Sequence, residues 1–398
     1  MADVKNLAEP GKMTVNSSLK VFYTAAMFFG LIAFVVTLYL DSKRAWHAFL
    51  VGFFYFTTIG MGGFFFTAIQ HATKAGWSVN VRRLCESFTA FLPVAFVLGI
   101  ALLFGSHNLY EWTHAEEVAK DALLQHKAGY LNQTFFMIRF VGFFLLWIFI
   151  AKKMVKNSVE QDASGSQELT VKNTGLSILA LVVFALSFSL FSVDVLMSLA
   201  PHWFSTIFGV YTFSGLFQST MASMILLILY MQGNGQLKGY VTSDHLHDLG
   251  KFLFGFTVFW AYIAFSQYML IWYANLPEET VFFMPRSSGS WALVSLGLLL
   301  FKFIVPFFAL LPRWAKRTPK HLGAVSILIL IMQFVDIYWL VYPSLDENNV
   351  IFGIQEVVIF LGFAGAFVFM VTRFLSQHSI VPIKDPRIKE SLHHHVVY

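Results

Sequence analysis

LNQTFFMIRFVGFFLLWIFIA, residues 131–151, is the stretch on which the fold turns. A single charge, Arg139, interrupts a run otherwise apolar for the length of a bilayer crossing, which takes about 20 residues as a helix. Open strands cannot satisfy their backbone in lipid, so Phe- and Leu-rich runs with interior Gly read as membrane helices. Nine more runs obey the same rule: 19–40, 46–70, 84–105, 173–197, 203–231, 250–273, 290–311, 322–342 and 350–375. Polar breaks separate them, at 41–44, 156–172, 233–235 and 313–319. The pattern predicts an all-α integral membrane protein of ten transmembrane helices. Residues 106–130, with Glu111, Glu116, Glu117 and Asp121, are too polar to span and predict an external cap.

Composition agrees with that reading. The 398 residues carry 27 basic and 22 acidic side chains, 12% of the chain, against 57% hydrophobic residues and 46 Phe. A soluble domain is about 25% charged, so a soluble globule of this size would lack the charge to cover its surface. A disordered chain, a fibrous repeat and a nucleic-acid binder are excluded on the same balance. The one cysteine, Cys85, excludes an internal disulfide, a cysteine-ligated iron–sulfur cluster and covalent c-type haem attachment. It reads as a small hydrophobe at the start of a span.

The basic residues set the topology. Twenty Lys and Arg fall on the side that holds both termini and five on the other, with Arg139 and Lys302 inside spans. The positive-inside rule then predicts cytoplasmic termini and, in a bacterial source, insertion in the inner membrane with the cap periplasmic. Met1 to Ser18 is polar with no cleavable signal pattern, so the first span directs insertion. The expected organisation is one membrane domain, 19–375, between tails 1–18 and 376–398.

An internal repeat runs through that domain. VDVLMSLAP (193–201) and VDIYWLVYP (335–343) each place an Asp seven residues before a Pro at a span exit. One span earlier stand RFVGFF from Arg139 and KFIVPFF from Lys302. Four spans per unit give two units of the same topology. Spans 2–5 and 6–9 (units 46–197 and 203–342) therefore read as two four-helix bundles flanked by spans 1 and 10.

Charge inside lipid marks where chemistry is to be sought. The candidates are Glu86, Arg139, Asp194, Lys302, Asp336 and Glu356. Pairing within each bundle is economical: Arg139 with Asp194, Lys302 with Asp336. These pairs read either as structural salt bridges or as the lining of hydrated proton half-channels, with Glu86 and His71 at the inner mouth and Glu356 and His202 at the outer one. His47 and His71 lie at opposite ends of one span, about 36 Å apart at the helical rise, and cannot clamp a haem together. His245 and His247 read as members of a polar loop, and His393 to His395 as a solvated tail. No metal site is expected. Gly60, Gly62, Gly63, Gly209 and Gly215 read as close helix packing. Trp272, Tyr273, Tyr338, Trp339 and Tyr342 read as an interfacial aromatic belt.

The stretch SVDVLMSLAPHWFSTIFGVYTFSG (192–215) resembles the signature of the membrane subunits of alternative complex III, relatives of the NrfD and polysulfide-reductase membrane-anchor family. AGWSVNVRR (75–83) and FTVFWAYIAFSQYMLIWYANLPEET (256–280) are similar to its F-subunit branch. The resemblance covers essentially the whole chain. It implies a subunit of a bacterial quinol:cytochrome c, or quinol:acceptor, oxidoreductase that binds no redox cofactor itself. Quinol or menaquinol, iron–sulfur clusters and c-type haems then belong to partners: an NrfD-like C subunit, an iron–sulfur B subunit, multihaem and monohaem cytochrome c subunits and, further out, a terminal oxidase. It also implies a role in assembly and a proposed share in proton conduction through Glu86, Arg139, Asp194, His202, Lys302 and Asp336. Two alternatives stay open: a direct quinol-binding subunit using a carboxylate and a His near the external face, and a stand-alone secondary transporter.

Overall fold

A computed structural model of the chain describes residues 10–396; the first half of the expected N-terminal tail lies outside them. Among the described residues, ten helices are long and apolar enough to cross a membrane. They are α1 (Ser17–Leu40), α2 (Ser42–Ala72), α3 (Val79–Phe104), α4 (Gln133–Ser164), α5 (Gln167–Leu199), α6 (Phe208–Gly233), α7 (Ser243–Ala274), α8 (Gly289–Leu310), α9 (Pro319–Ser344) and α10 (Ile354–Gln377). No strand accompanies them there, only one bridge between Lys12 and Ser379. The chain is an all-α, multi-pass membrane protein.

α2 and α6 are the most buried spans and form the centre of the molecule. Bundle α2–α5 packs on one side of that seam and bundle α6–α9 on the other, while α1 and α10 pair outside them. Lipid tails are as apolar as Leu, so helices in a bilayer gain by close approach rather than by hiding hydrophobic surface. The glycines do this work. A Cβ on Gly62 would lie 1.8 Å from the Thr220 hydroxyl across the α2–α6 seam, and one on Gly63 would lie 2.5 Å from the Cys85 carbonyl. Gly30 and Gly362 bring α1 against α10 in the same way. Cys85 itself is buried, beside Met224.

The helices alternate between two ends, here called the cap face and the tail face. The described parts of both tails lie at the tail face, where the Met13 amide donates to the Leu375 carbonyl at 2.9 Å. At the other end, short helices within 106–127 form the cap. Tyr110 pins it to the first bundle by donating to the Val195 carbonyl at 3.0 Å.

Three expectations need correction. The polar stretch 156–172 is not a loop: α4 runs to Ser164 and α5 begins at Gln167, joined at Gly165, whose φ of 66° is the left-handed turn that glycine adopts readily. Polar contacts such as Asn157 to Asn173, 2.8 Å, hold the two helices together beyond the apolar zone. Tyr338, Trp339 and Tyr342 are buried rather than interfacial, whereas Trp272 and Tyr273 are exposed as a belt requires. The C-terminal tail is docked, not free. His394 meets Asp248 at 2.5 Å and His395 meets Asp244 at 3.4 Å, on the first turns of α7, where His245 and His247 are buried.

Candidate functional site

Both expected pairs form. In the first bundle Arg139 forks Asp194, with Nε donating to Oδ2 at 2.8 Å and Nη2 to Oδ1 at 3.0 Å. Nη1 donates to the Tyr130 carbonyl at 3.1 Å, and the guanidinium lies 3.8 Å over the Tyr130 ring and 4.3 Å over Phe135. A planar cation with several fixed donors is thus neutralised, hydrogen-bonded and covered by ring faces. Burial and the nearby Asp194 carboxylate push Tyr130 up to about 12. This pair uses two helices and the end of the cap.

The second bundle builds a denser site, with all four helices contributing. Lys302 of α8 is fully buried and donates to Asp336 Oδ2 at 2.5 Å and to Gln333 Oε1 at 2.7 Å, both on α9. Tyr211 of α6 donates to Asp336 Oδ1, and Trp260 Nε1 of α7 donates to Oδ2 at 3.2 Å. The ammonium also stands 4.5 Å from the Trp260 ring. The backbone makes room: residues Leu298–Ile304 form a π-helical turn. Pro306 follows it and has no N–H to offer the Lys302 carbonyl four residues back. Wide turns of this kind recur at functional sites. Gly215 faces the same amide. Its Cβ would sit 2.8 Å from Gln333 Oε1, so the glycine read as helix packing is what admits the side chain that holds Lys302.

Glu86 and His71 do not open to the tail face as an inner mouth would. Both are buried. Glu86 contacts Arg83 at 3.0 Å and Arg82 at 3.6 Å and accepts from Ser158 at 2.8 Å. Arg82 continues to Asp385 of the tail at 2.5 Å, and Arg83 to Asp162 at 2.8 Å. The tail carboxylate therefore seals this network. Neither ring nitrogen of His71 has a hydrogen-bond partner, and buried polar atoms of Gln70, Asn80, Arg82 and Arg83 share that condition.

Glu356 is likewise no open mouth. Arg44 forks it at 2.7 and 2.9 Å, Tyr342 donates at 2.9 Å and the Gly353 amide at 2.8 Å. Every lone-pair direction is used at the start of α10. His202 does reach the cap surface, where it meets Asp121 at 2.5 Å and lines a polar cavity of about 590 Å³ between the bundles. His47, His107, His114 and Arg286 border the same cavity. Arg286 is buried and donates to the carbonyls of Phe282, Trp339 and Leu340, which cap the end of α9. Burial pushes it down to about 9, still charged at neutral pH. No three His, Cys, Asp or Glu among the described residues could hold a metal ion.

Sequence reasoning missed Arg44, Arg82, Arg83, Asp162, Asp385 and Arg286, each classed with a loop or tail charge. It also missed Tyr211, Trp260 and Gln333. Polar residues within apolar runs were the available signal, and Gln333 stands three residues before Asp336. No family model and no curated protein matches the chain.

Proposed function

We propose that the chain is a membrane subunit of a quinol-oxidising respiratory complex, free of redox cofactors of its own. It sits in a bacterial inner membrane with both termini cytoplasmic, packs beside cluster- and haem-bearing partners, and passes protons through its second bundle. The likeness of 75–83, 192–215 and 256–280 to the F-subunit branch of alternative complex III supports the assembly role. The Lys302–Asp336 site carries the proton role. A carboxylate and an amine, fully buried, joined by a phenol, an indole and an amide, form a group whose charge state can change without a solvent contact.

Affinity purification of the tagged chain from mild detergent, followed by a subunit gel and a visible spectrum, tests the first half. Haem- and cluster-bearing partners are expected, and isolation of the chain alone would return it to the class of stand-alone transporters. Vesicles holding the assembled complex test the second half. Asp336→Asn is expected to abolish quinol-driven proton uptake while electron transfer persists; unchanged uptake with normal assembly would sink the proton role.

The cap cavity favours a second reading, a quinol headgroup seated against His202. A photoreactive quinone that labels residues around His202 would promote it. Asp194, locked by Arg139, is the weaker acceptor for that purpose.

A further inference from the structure

A groove of about 440 Å³ runs between α4 and α10, floored by Thr89, Ala90 and Pro93 of α3. Its two ends differ. At one end Pro93, Ile148, Met370 and Phe374 are half-buried, an apolar slot that lies open to hydrocarbon. At the other, towards the tail face, Lys152, Lys156, Glu160 and His378 line the same groove. The change falls where the apolar run of α4 ends, at Ala151, with Lys152 next. Lys152 therefore stands at the depth of the phospholipid headgroups, and Ile148 lies about one turn deeper, among acyl chains.

The charge at the tail-face end is net positive. Lys152 is exposed and, among the described residues, has no ion-pair partner. Lys156 meets Glu160 at 3.5 Å. Glu160 itself lies eight residues beyond Lys152, about 12 Å further along the helix from the slot. The His378 ring reports the same sign. Burial, then Arg83 and Lys12, hold it below its ordinary value against the opposite pull of Glu86. Lys12 is close by because its backbone bridges to Ser379.

Basic pockets between membrane helices at headgroup depth recognise anionic lipid headgroups, and here the cations line the groove that takes the chain. We propose that this groove binds one anionic phospholipid, its phosphate against Lys152 and Lys156 and one acyl chain along Ile148, Met370 and Phe374 over Pro93. The lipid joins the first bundle to the α1–α10 pair.

Phosphatidylglycerol and phosphatidylcholine with a photoreactive group on the acyl chain, in vesicles holding the full chain, test this by peptide mapping. Phosphatidylglycerol is expected to label residues 90–93 and 370–374 roughly fivefold more than phosphatidylcholine does. Lys152→Gln, at an exposed position that does not bear on folding, is expected to remove most of that preference. Val155→Trp, which fills the groove, is expected to abolish labelling there, and Val155→Ala to keep it. Equal labelling by the two lipids, an unchanged preference in Lys152→Gln, or native labelling of a folded Val155→Trp would overturn the inference. So would labelling confined to other peptides.

Discussion

Arg139–Asp194 and Lys302–Asp336 occupy matching places in the two bundles, yet they are built differently. Arginine holds its proton in any protein setting, and here both carboxylate oxygens are committed to one fork beneath two aromatic rings. Its site stands at the edge of the cap, with the pair slightly exposed. Lysine meets Asp336 through one oxygen, at the centre of a bundle, with Tyr211, Trp260 and Gln333 completing the shell. The first pair reads as a bolt between α4 and α5. The second joins a carboxylate and an amine inside a shell drawn from four helices. The repeat places the charges alike and surrounds them differently.

The difference has a direct energetic consequence. Removing one member of a buried pair strands the other, at about 3–5 kcal/mol. Lys302→Met should therefore cost near the top of that range in detergent-solubilised unfolding, because Asp336 has no route to water. Arg139→Met should cost near the bottom of that range, about 3 kcal/mol, since Asp194 lies nearer the cap and can hydrate. The double change Lys302→Met with Asp336→Leu should recover most of the loss, because two apolar side chains leave no charge behind. Equal losses for the two single variants would break the distinction between the bundles.

Much of this contrast was legible in the sequence, and its limits are physical. Ten spans, the repeat and both pairs follow from apolar run length and from the cost of unpaired charge in lipid. Arg139 and Asp194 were findable because each is alone in its run. Arg44, Arg82 and Arg83 were not, because a charge at a span end looks the same whether it faces water or turns inward to Glu356 or Glu86. The tail's closure over Arg82 by Asp385 joins residues some 300 positions apart, and no local pattern carries it. The π turn at Lys302 also left no mark beyond Pro306.

Glycine substitutions sharpen the comparison at smaller scale. Gly215→Ala presses on the Gln333 amide and Gly209→Ala on Ser189, with Cβ contacts of 2.8 and 2.7 Å. Overpacking of this kind costs about 1–3 kcal/mol, and both variants should lose about 1 kcal/mol of stability. Only Gly215→Ala displaces a ligand of Lys302, so only it should slow proton uptake in vesicles beyond what its folded fraction explains. Parallel effects in the two variants would mean that Gly215 is a packing glycine and no more.

A solvated ion pair supplies the limiting case. Asp121 meets His202 in the cap, in reach of water on both sides. The hydrogen bond from His202, with the amides of Leu123 and Leu124, holds the Asp121 carboxyl below its ordinary value of 3.8. A carboxyl lowered on folding contributes stability that is complete above the unfolded value and is lost as pH falls through the folded one. The cap should therefore keep its protection at neutral pH and loosen below pH 3.8, with helix 122–127 fraying first because Asp121 caps it. Amide exchange at Leu123 and Leu124, corrected for intrinsic rate, should rise across that window in the native chain and show no such step in Asp121→Asn. Global unfolding of Asp121→Asn at neutral pH should match the native chain within error, since surface pairs contribute little. A global loss on the scale of Arg139→Met would place this pair with the bolts inside the bundles rather than with the solvated charges around them.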